Sequence, residues 1–158
     1  HKGIIKTFPG LIKAFTKFYV LKKGNKTDFK EKMYRFLPYI NIEKDLPEFW
    51  ASHKDNIKDW YYKTQREDDV IISASPEFLL NPICKELGIK YLMASKVDMK
   101  TGKYEGINCH GKEKVRRFYE MFPNGKIEDF YSDSYSDSPL AEISKKAFLV
   151  KGNELKDW

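Results

Sequence analysis

Cysteine is scarce in this chain: only Cys84 and Cys109 occur in 158 residues. They have neither metal-ligand spacing nor the density of a disulfide scaffold, so a stapled secreted fold and a thiol-rich zinc module are both excluded. We read both as free thiols of a cytoplasmic protein. No apolar run approaches the roughly 18 to 20 residues needed to span a bilayer. The lysine-studded start has no uninterrupted apolar segment followed by a cleavage site, so no secretory leader is expected. Internal repeats are missing, and low complexity is confined to the Ser/Asp-rich stretch at 132–138. A nucleotide P-loop is excluded as well, because no glycine-rich spacing precedes Gly111-Lys112.

Large side chains and charge are plentiful. Aromatic residues make up 15% and charged residues 33% of the chain, with a mean hydropathy of −0.63. That composition suits one well-packed core, or a core with a small appended subdomain. The net charge of +6 is uneven: residues 1–66 carry 15 Lys/Arg against 7 Asp/Glu, a net of +8, whereas residues 67–158 net −2. A basic half attracts nucleic acid, anionic lipid or a phosphorylated small molecule; it is equally the solvated face of lysine-rich helices.

The first 66 residues read as helical. Leu11, Phe15 and Phe18 recur at i, i+4 and i+7, and Gly24-Asn25 ends that helix. Thr27 is the expected N-cap of a second helix running to Leu37, and Pro38 and Pro47 bracket a connection. From Glu48 to Arg66 a third helical pattern buries Phe49, Trp50, Ile57, Trp60 and Tyr61. At Asp68 the character changes. Val70-Ile71-Ile72 is a β-branched, unalternating run of the kind buried on both faces of a parallel sheet. A helix follows from Pro76 to Leu87, closed by Gly88, then a strand from Tyr91 to Ser95. A hairpin turns at Thr101-Gly102, a helix spans Gly111 to Met121, and a strand spans Ile127 to Tyr131. A helix opens near Ser138-Pro139, and Ala147 to Val150 forms an edge strand. Strands alternating with helices predict an α/β fold with a parallel sheet covered by helices on both faces.

Ligands of such sheets bind at the carboxyl ends of the strands. Ser73, Asp133 and Asp137 fall at predicted strand ends. Ser73 offers a hydroxyl, and the amides of Ala74 and Ser75 sit where a helix begins and an anion is favoured; the same segment also reads as an ordinary helix cap. Asp133 and Asp137 could hold magnesium, which takes one or two carboxylates with water and substrate phosphate. A solvated turn capping the next helix is the alternative. Lys112 and Lys114 stand at a helix start, where a positive charge gains nothing from the macrodipole and points to an anion or acid nearby. His53 and His110 have no partner at ligand spacing, Cys84 falls on the buried side of its helix, and Cys109 has no catalytic partner in sequence.

With those segments in place, the chain resembles the haloacid dehalogenase superfamily, and within it the phosphoserine-phosphatase-like subfamily that includes phosphatidylglycerophosphate phosphatases. The resemblance covers roughly residues 66 to 158. It rests on Val70-Ile71-Ile72-Ser73-Ala74-Ser75, on Gly111-Lys112-Glu113-Lys114-Val115, and on Tyr131-Ser132-Asp133-Ser134-Tyr135-Ser136-Asp137, in the order of the family's second, third and fourth motifs. It implies a Rossmann-like core at 63–158 under a small helical cap at 1–62. It implies that Ser73 and Ala74 bind the substrate phosphoryl group and that Lys114, with Lys112 as second candidate, neutralises charge beside the nucleophile. Asp133 would bind Mg2+, with Asp137 supporting or completing the metal site. The substrate would be a small phosphorylated molecule or a phospholipid headgroup, and no nucleic acid is expected.

The family's first motif, Asp-x-Asp-x-Thr/Val at the end of the first strand, does not occur in this sequence. Its first carboxylate attacks phosphorus, and covalent catalysis of that kind cannot proceed without it. The expectation is therefore a Mg-dependent phosphatase whose first core strand and nucleophile lie outside these residues, which by themselves are inactive and open to self-association. The competing expectation is a non-catalytic phosphate- or anionic-lipid-binding relative. Nucleic-acid binding through the basic helices is a third, and would show itself as strongly salt-dependent binding.

Overall fold

The computed structural model describes residues 26–158. The predicted first helix around Leu11, Phe15 and Phe18, with its end at Gly24-Asn25, lies outside the described residues. Helix α1 spans Lys26–Tyr34. Thr27 therefore lies inside it and is not its cap; the Thr27 hydroxyl instead accepts from Asn108 Nδ2 at 3.4 Å. A short 3-10 turn, Leu37–Tyr39, leads to helix α2, Ile42–His53.

The connection expected to reach Pro47 is shorter than that, because Asn41 nucleates α2 ahead of the proline. Asn41 Oδ1 accepts from the Lys44 amide at 3.2 Å, and the Asp45 carboxylate accepts from the Asn41 amide at 3.1 Å. That reciprocal cap outweighs the single backbone bond that an interior proline removes. The helix expected to run on to Arg66 is broken by a 3-10 turn at Lys54–Asn56, and resumes as α3, Asp59–Thr64. Phe49, expected to be buried, is 39% exposed and stacks on His53 with ring centroids 4.3 Å apart. Its neighbour Trp50 turns inward instead, donating from Nε1 to the Leu79 carbonyl at 2.7 Å.

The core alternates strands and helices: β1 (Val70–Pro76), α4 (Glu77–Glu86), β2 (Tyr91–Ser95), α5 (Lys112–Met121), β3 (Ile127–Ser132), α6 (Ser138–Ala141), β4 (Ser144–Lys151) and β5 (Glu154–Asp157). Helix α4 ends as expected at Gly88, whose φ of 72° permits the Ile89 amide to reach the Cys84 carbonyl at 2.8 Å. That is a left-handed closure that glycine adopts without penalty. The turn at Thr101-Gly102 is also where the sequence places it, joined by the Val97–Tyr104 bridge.

The sheet comes in two parts. β1 pairs in parallel with β2; β3 pairs in parallel with β4, and β5 adds to β4 in antiparallel sense. No ladder joins β1 to β3 among the described residues. For this reason β1 is only half-buried along Val70 to Ser75, and not buried on both faces as expected. β4 is not the edge, because β5 lies outside it. Ile83, Cys84, Met93, Phe118, Leu140 and Leu149 form much of the buried core.

Candidate active site

Gly111, with φ 58°, turns the chain into α5 and so places Lys114 in the first helical turn. Lys114 is 7% exposed, and its Nζ lies 2.7 Å from Asp137 Oδ1. A buried ammonium needs such a partner, because desolvation otherwise makes the charge untenable. Asp137 ends the 3-10 turn Tyr135–Asp137 that follows β3, and its second oxygen accepts from the Ser132 hydroxyl at 2.9 Å. Ser132 in turn accepts from the Ser134 amide at 3.2 Å, which fixes the loop. Lys112, the first residue of the helix, is exposed. The buried cation beside Asp137 is thus Lys114.

One residue away, Glu113 gathers two arginines. Arg116 contacts both its oxygens at 2.8 Å, and Arg117 Nε lies 2.8 Å from Oε1. The Arg116 hydrogen bonds first, and Arg117 with them, hold the Glu113 carboxyl down to about 2 against the upward push of desolvation. Arg117 also donates to the carbonyls of Ala94 at 2.6 Å and Ile107 at 2.5 Å, which locks α5 to the end of β2.

Ser73 stands where the β1 ladder loses register, between Ile72 and Pro76. Its Oγ accepts from the Ser75 amide at 3.1 Å, which leaves the hydroxyl proton available to another acceptor. The helix starts at Glu77 with Pro76 as cap residue, so the amides of Ala74 and Ser75 belong to the irregular strand end and not to a helix N-terminus. The Ala74 carbonyl receives the Lys30 ammonium from α1 at 2.8 Å. Ser73 lies on one part of the sheet and the Lys114–Asp137 pair beside the other. No hydrogen bond or ion pair joins Ser73 to Lys114, Asp133 or Asp137 among the described residues.

Asp133, just past β3, is exposed. With Asp137 it offers hard carboxylate oxygens of the kind magnesium takes. Two carboxylates are fewer than a complete set, and among the described residues no cluster of three His, Cys, Asp or Glu side chains could hold a metal. The two residues therefore fit magnesium in the kind of donor they offer, while both oxygens of Asp137 already serve Lys114 and Ser132. Cys109 is fully buried beside this site; burial raises its thiol pKa, opposed by Arg117 and Lys114. Its amide donates to Ser95 Oγ at 2.9 Å, a structural use. A cavity of about 520 Å³ lies beyond the β2 edge, lined by Ala94, Glu105, Glu113 and Arg116, and includes none of the candidate residues.

Sequence reasoning passed over Ser132, Arg117 and Lys30. The first two sit beside residues it did single out. Lys30 is one of many lysines, and only the helical spacing of Thr27, Lys30, Glu31 and Tyr34 distinguishes it.

Comparison with known proteins gives a consistent picture. The model of the haloacid dehalogenase-like hydrolase family matches residues 6–142. A probable phosphatase from Mycobacterium tuberculosis is 32% identical over 96 residues, covering 56% of this chain and 33% of that protein. Protein CicA from Caulobacter vibrioides is 31% identical over 81 residues, covering 48% of this chain and 36% of that protein. The matches thus span about a third of these relatives' length. No solved structure matches the chain.

Proposed function

The chain belongs to the haloacid dehalogenase-like hydrolases, and on that premise we propose that it forms most of the active site of a magnesium-dependent phosphomonoesterase. The observation that carries this reading is the Lys114–Asp137 pair at 2.7 Å with its buried lysine, in the loop where the exposed Asp133 stands four positions ahead of Asp137. In it, Ser73 donates its hydroxyl proton to a phosphoryl oxygen and thereby orients the group. Lys114 offsets the negative charge that gathers where nucleophile and phosphate meet, and Asp137 holds Lys114 in place. Asp133 and Asp137 would hold Mg2+, which supplies charge neutralisation on the phosphoryl oxygens when bound. The attacking carboxylate comes from outside residues 1–158, since no Asp-x-Asp-x-Thr/Val motif lies within them. Its strand has a place to pair: the edges of β1 and β3 that no strand occupies among the described residues. Residues 1–62 act as a helical cap over a core at 63–158, and the +8 of residues 1–66 draws in an anionic phosphate ester.

The missing nucleophile also favours a second reading, a non-catalytic relative that binds phosphate or an anionic lipid headgroup. Assaying p-nitrophenyl phosphate hydrolysis with magnesium separates the two. This chain is expected to be inert, and the chain extended through its in-frame upstream segment is expected to turn over. In the extended form Lys114→Met and Ser73→Ala should each cost about 100-fold or more, as expected for lost charge-stabilising donors. Turnover by the unextended chain refutes the first reading; an inert extended chain favours the second.

A further inference from the structure

Helix α1 meets the core through one polar face. Thr27, Lys30, Glu31 and Tyr34 follow the i, i+3, i+4, i+7 spacing of a single helix side. Thr27 Oγ1 accepts from Asn108 Nδ2 at 3.4 Å, and Glu31 Oε1 accepts from the Tyr104 amide at 3.0 Å. The Tyr34 ring lies 6.1 Å from that of Tyr104. Lys30 Nζ donates to the Ala74 carbonyl at 2.8 Å. All four side chains are half-buried, and burial raises the hydroxyl pKa of Tyr34 and of its partner Tyr104. Three of the contacts hold the hairpin and its flank. The fourth goes elsewhere, to the one stretch of β1 where the ladder loses register.

We propose that Lys30 is a positioning residue for anion binding: its bond to the Ala74 carbonyl fixes the irregular Ser73–Ser75 segment so that the Ser73 hydroxyl presents its proton to a phosphoryl oxygen. The proposal rests on the phosphatase reading of Ser73. The physical case is local. A strand segment out of register lacks part of the ladder that would hold it rigid, and pays an ordering cost when it closes on a ligand. Two bonds replace the missing ladder: the Ser75 amide on Ser73 Oγ, which orients the hydroxyl, and Lys30 on Ala74, which orients the peptide between them. Lys30 brings a positive charge to the same segment, so an arriving phosphate meets a loop already set and an electrostatically favourable surrounding. Because Lys30 is on α1, seating α1 and readying Ser73 become one event.

The test uses this chain and inorganic phosphate, with binding followed by calorimetry and amide hydrogen exchange read residue by residue. Lys30→Met should weaken phosphate binding about tenfold and speed exchange at Ala74 and Ser75, with the melting temperature and the Tyr104 amide unchanged. Lys30→Arg should restore both, since it keeps the donor and the charge. Ser73→Ala should weaken phosphate binding without altering exchange at Tyr104. If Lys30→Met is without effect while Ser73→Ala weakens binding, the role of Lys30 is overturned and the phosphate site stands. If phosphate fails to bind, or binds regardless of Ser73, the site reading itself falls and takes the proposal with it. A Lys30→Met variant that lowers the melting temperature and exposes Tyr104 equally shows a merely structural contact, which also overturns it.

Discussion

Glu113 and Lys114 are adjacent residues with opposite duties. Lys114 points into the site and is neutralised by Asp137. Glu113 binds α5 to itself through Arg116 and, through Arg117, to β2. Its carboxyl lies well below the ordinary 4.5, at about 2, with the Arg116 hydrogen bonds as the main cause. A folded-state value below the unfolded one contributes stability that is complete above pH 4.5 and is lost as pH falls through about 2. The melting temperature of the chain should therefore fall across that window. Glu113→Gln should lower it at neutral pH and flatten its slope there, as followed by circular dichroism. An unchanged slope in the variant would place the acid sensitivity in another group.

At the scale of elements, the α1 contact depends on a residue without a side chain. Gly102 has φ 71°, and a Cβ built on it would collide with the Tyr34 carbonyl oxygen. Gly102→Ala adds both a disfavoured backbone and a clash, so it should cost about 1 to 3 kcal/mol. The loss should appear first as faster exchange of the Tyr104 amide, with α4 and β3 protected as before. Uniform loss of protection would mean that α1 and the core unfold together. The turn that holds Gly102 was legible in sequence, as were α4 with its Gly88 stop, β1, β3 and α5, because each is announced by local periodicity and punctuation. Pro47 misled because the Asn41 cap upstream of it is stronger than one lost amide bond. β5 was missed because its four residues are all exposed and show no apolar alternation, so it exists only through its pairing with β4. The same limit applies at the site. Ser73, Asp133 and Asp137 could be proposed as candidates from residue type and position at strand ends, whereas spacing left Lys112 and Lys114 both open and only the family resemblance preferred Lys114. The Lys30–Ala74 bond spans 44 positions and has no sequence signature.

At the scale of the whole molecule, the division of the sheet matters most. β1 and β3 each present a free edge among the described residues, and β1 is rich in half-buried β-branched side chains. Such edges recruit other strands. Sedimentation velocity should show the mass of this chain rising with concentration, and a monomer when the upstream segment is supplied. A monomer at every concentration would mean that the edges are already satisfied.

The two parts are not loose. Arg117 of α5 reaches Ala94 on β2 while Lys114, three residues earlier, reaches Asp137 behind β3. Arg66, ahead of β1, pairs with Asp129 on β3 at 2.5 Å, and Trp60 stacks on Tyr131 at 5.0 Å. Helix α5 thus works as a splint between the two parts of the sheet, and the residue that would meet the phosphate is one of its two fastenings. Any strand that pairs between β1 and β3 must fit the width that this splint sets. Loosening Lys114 would then change the seat of the strand as well as the charge beside it.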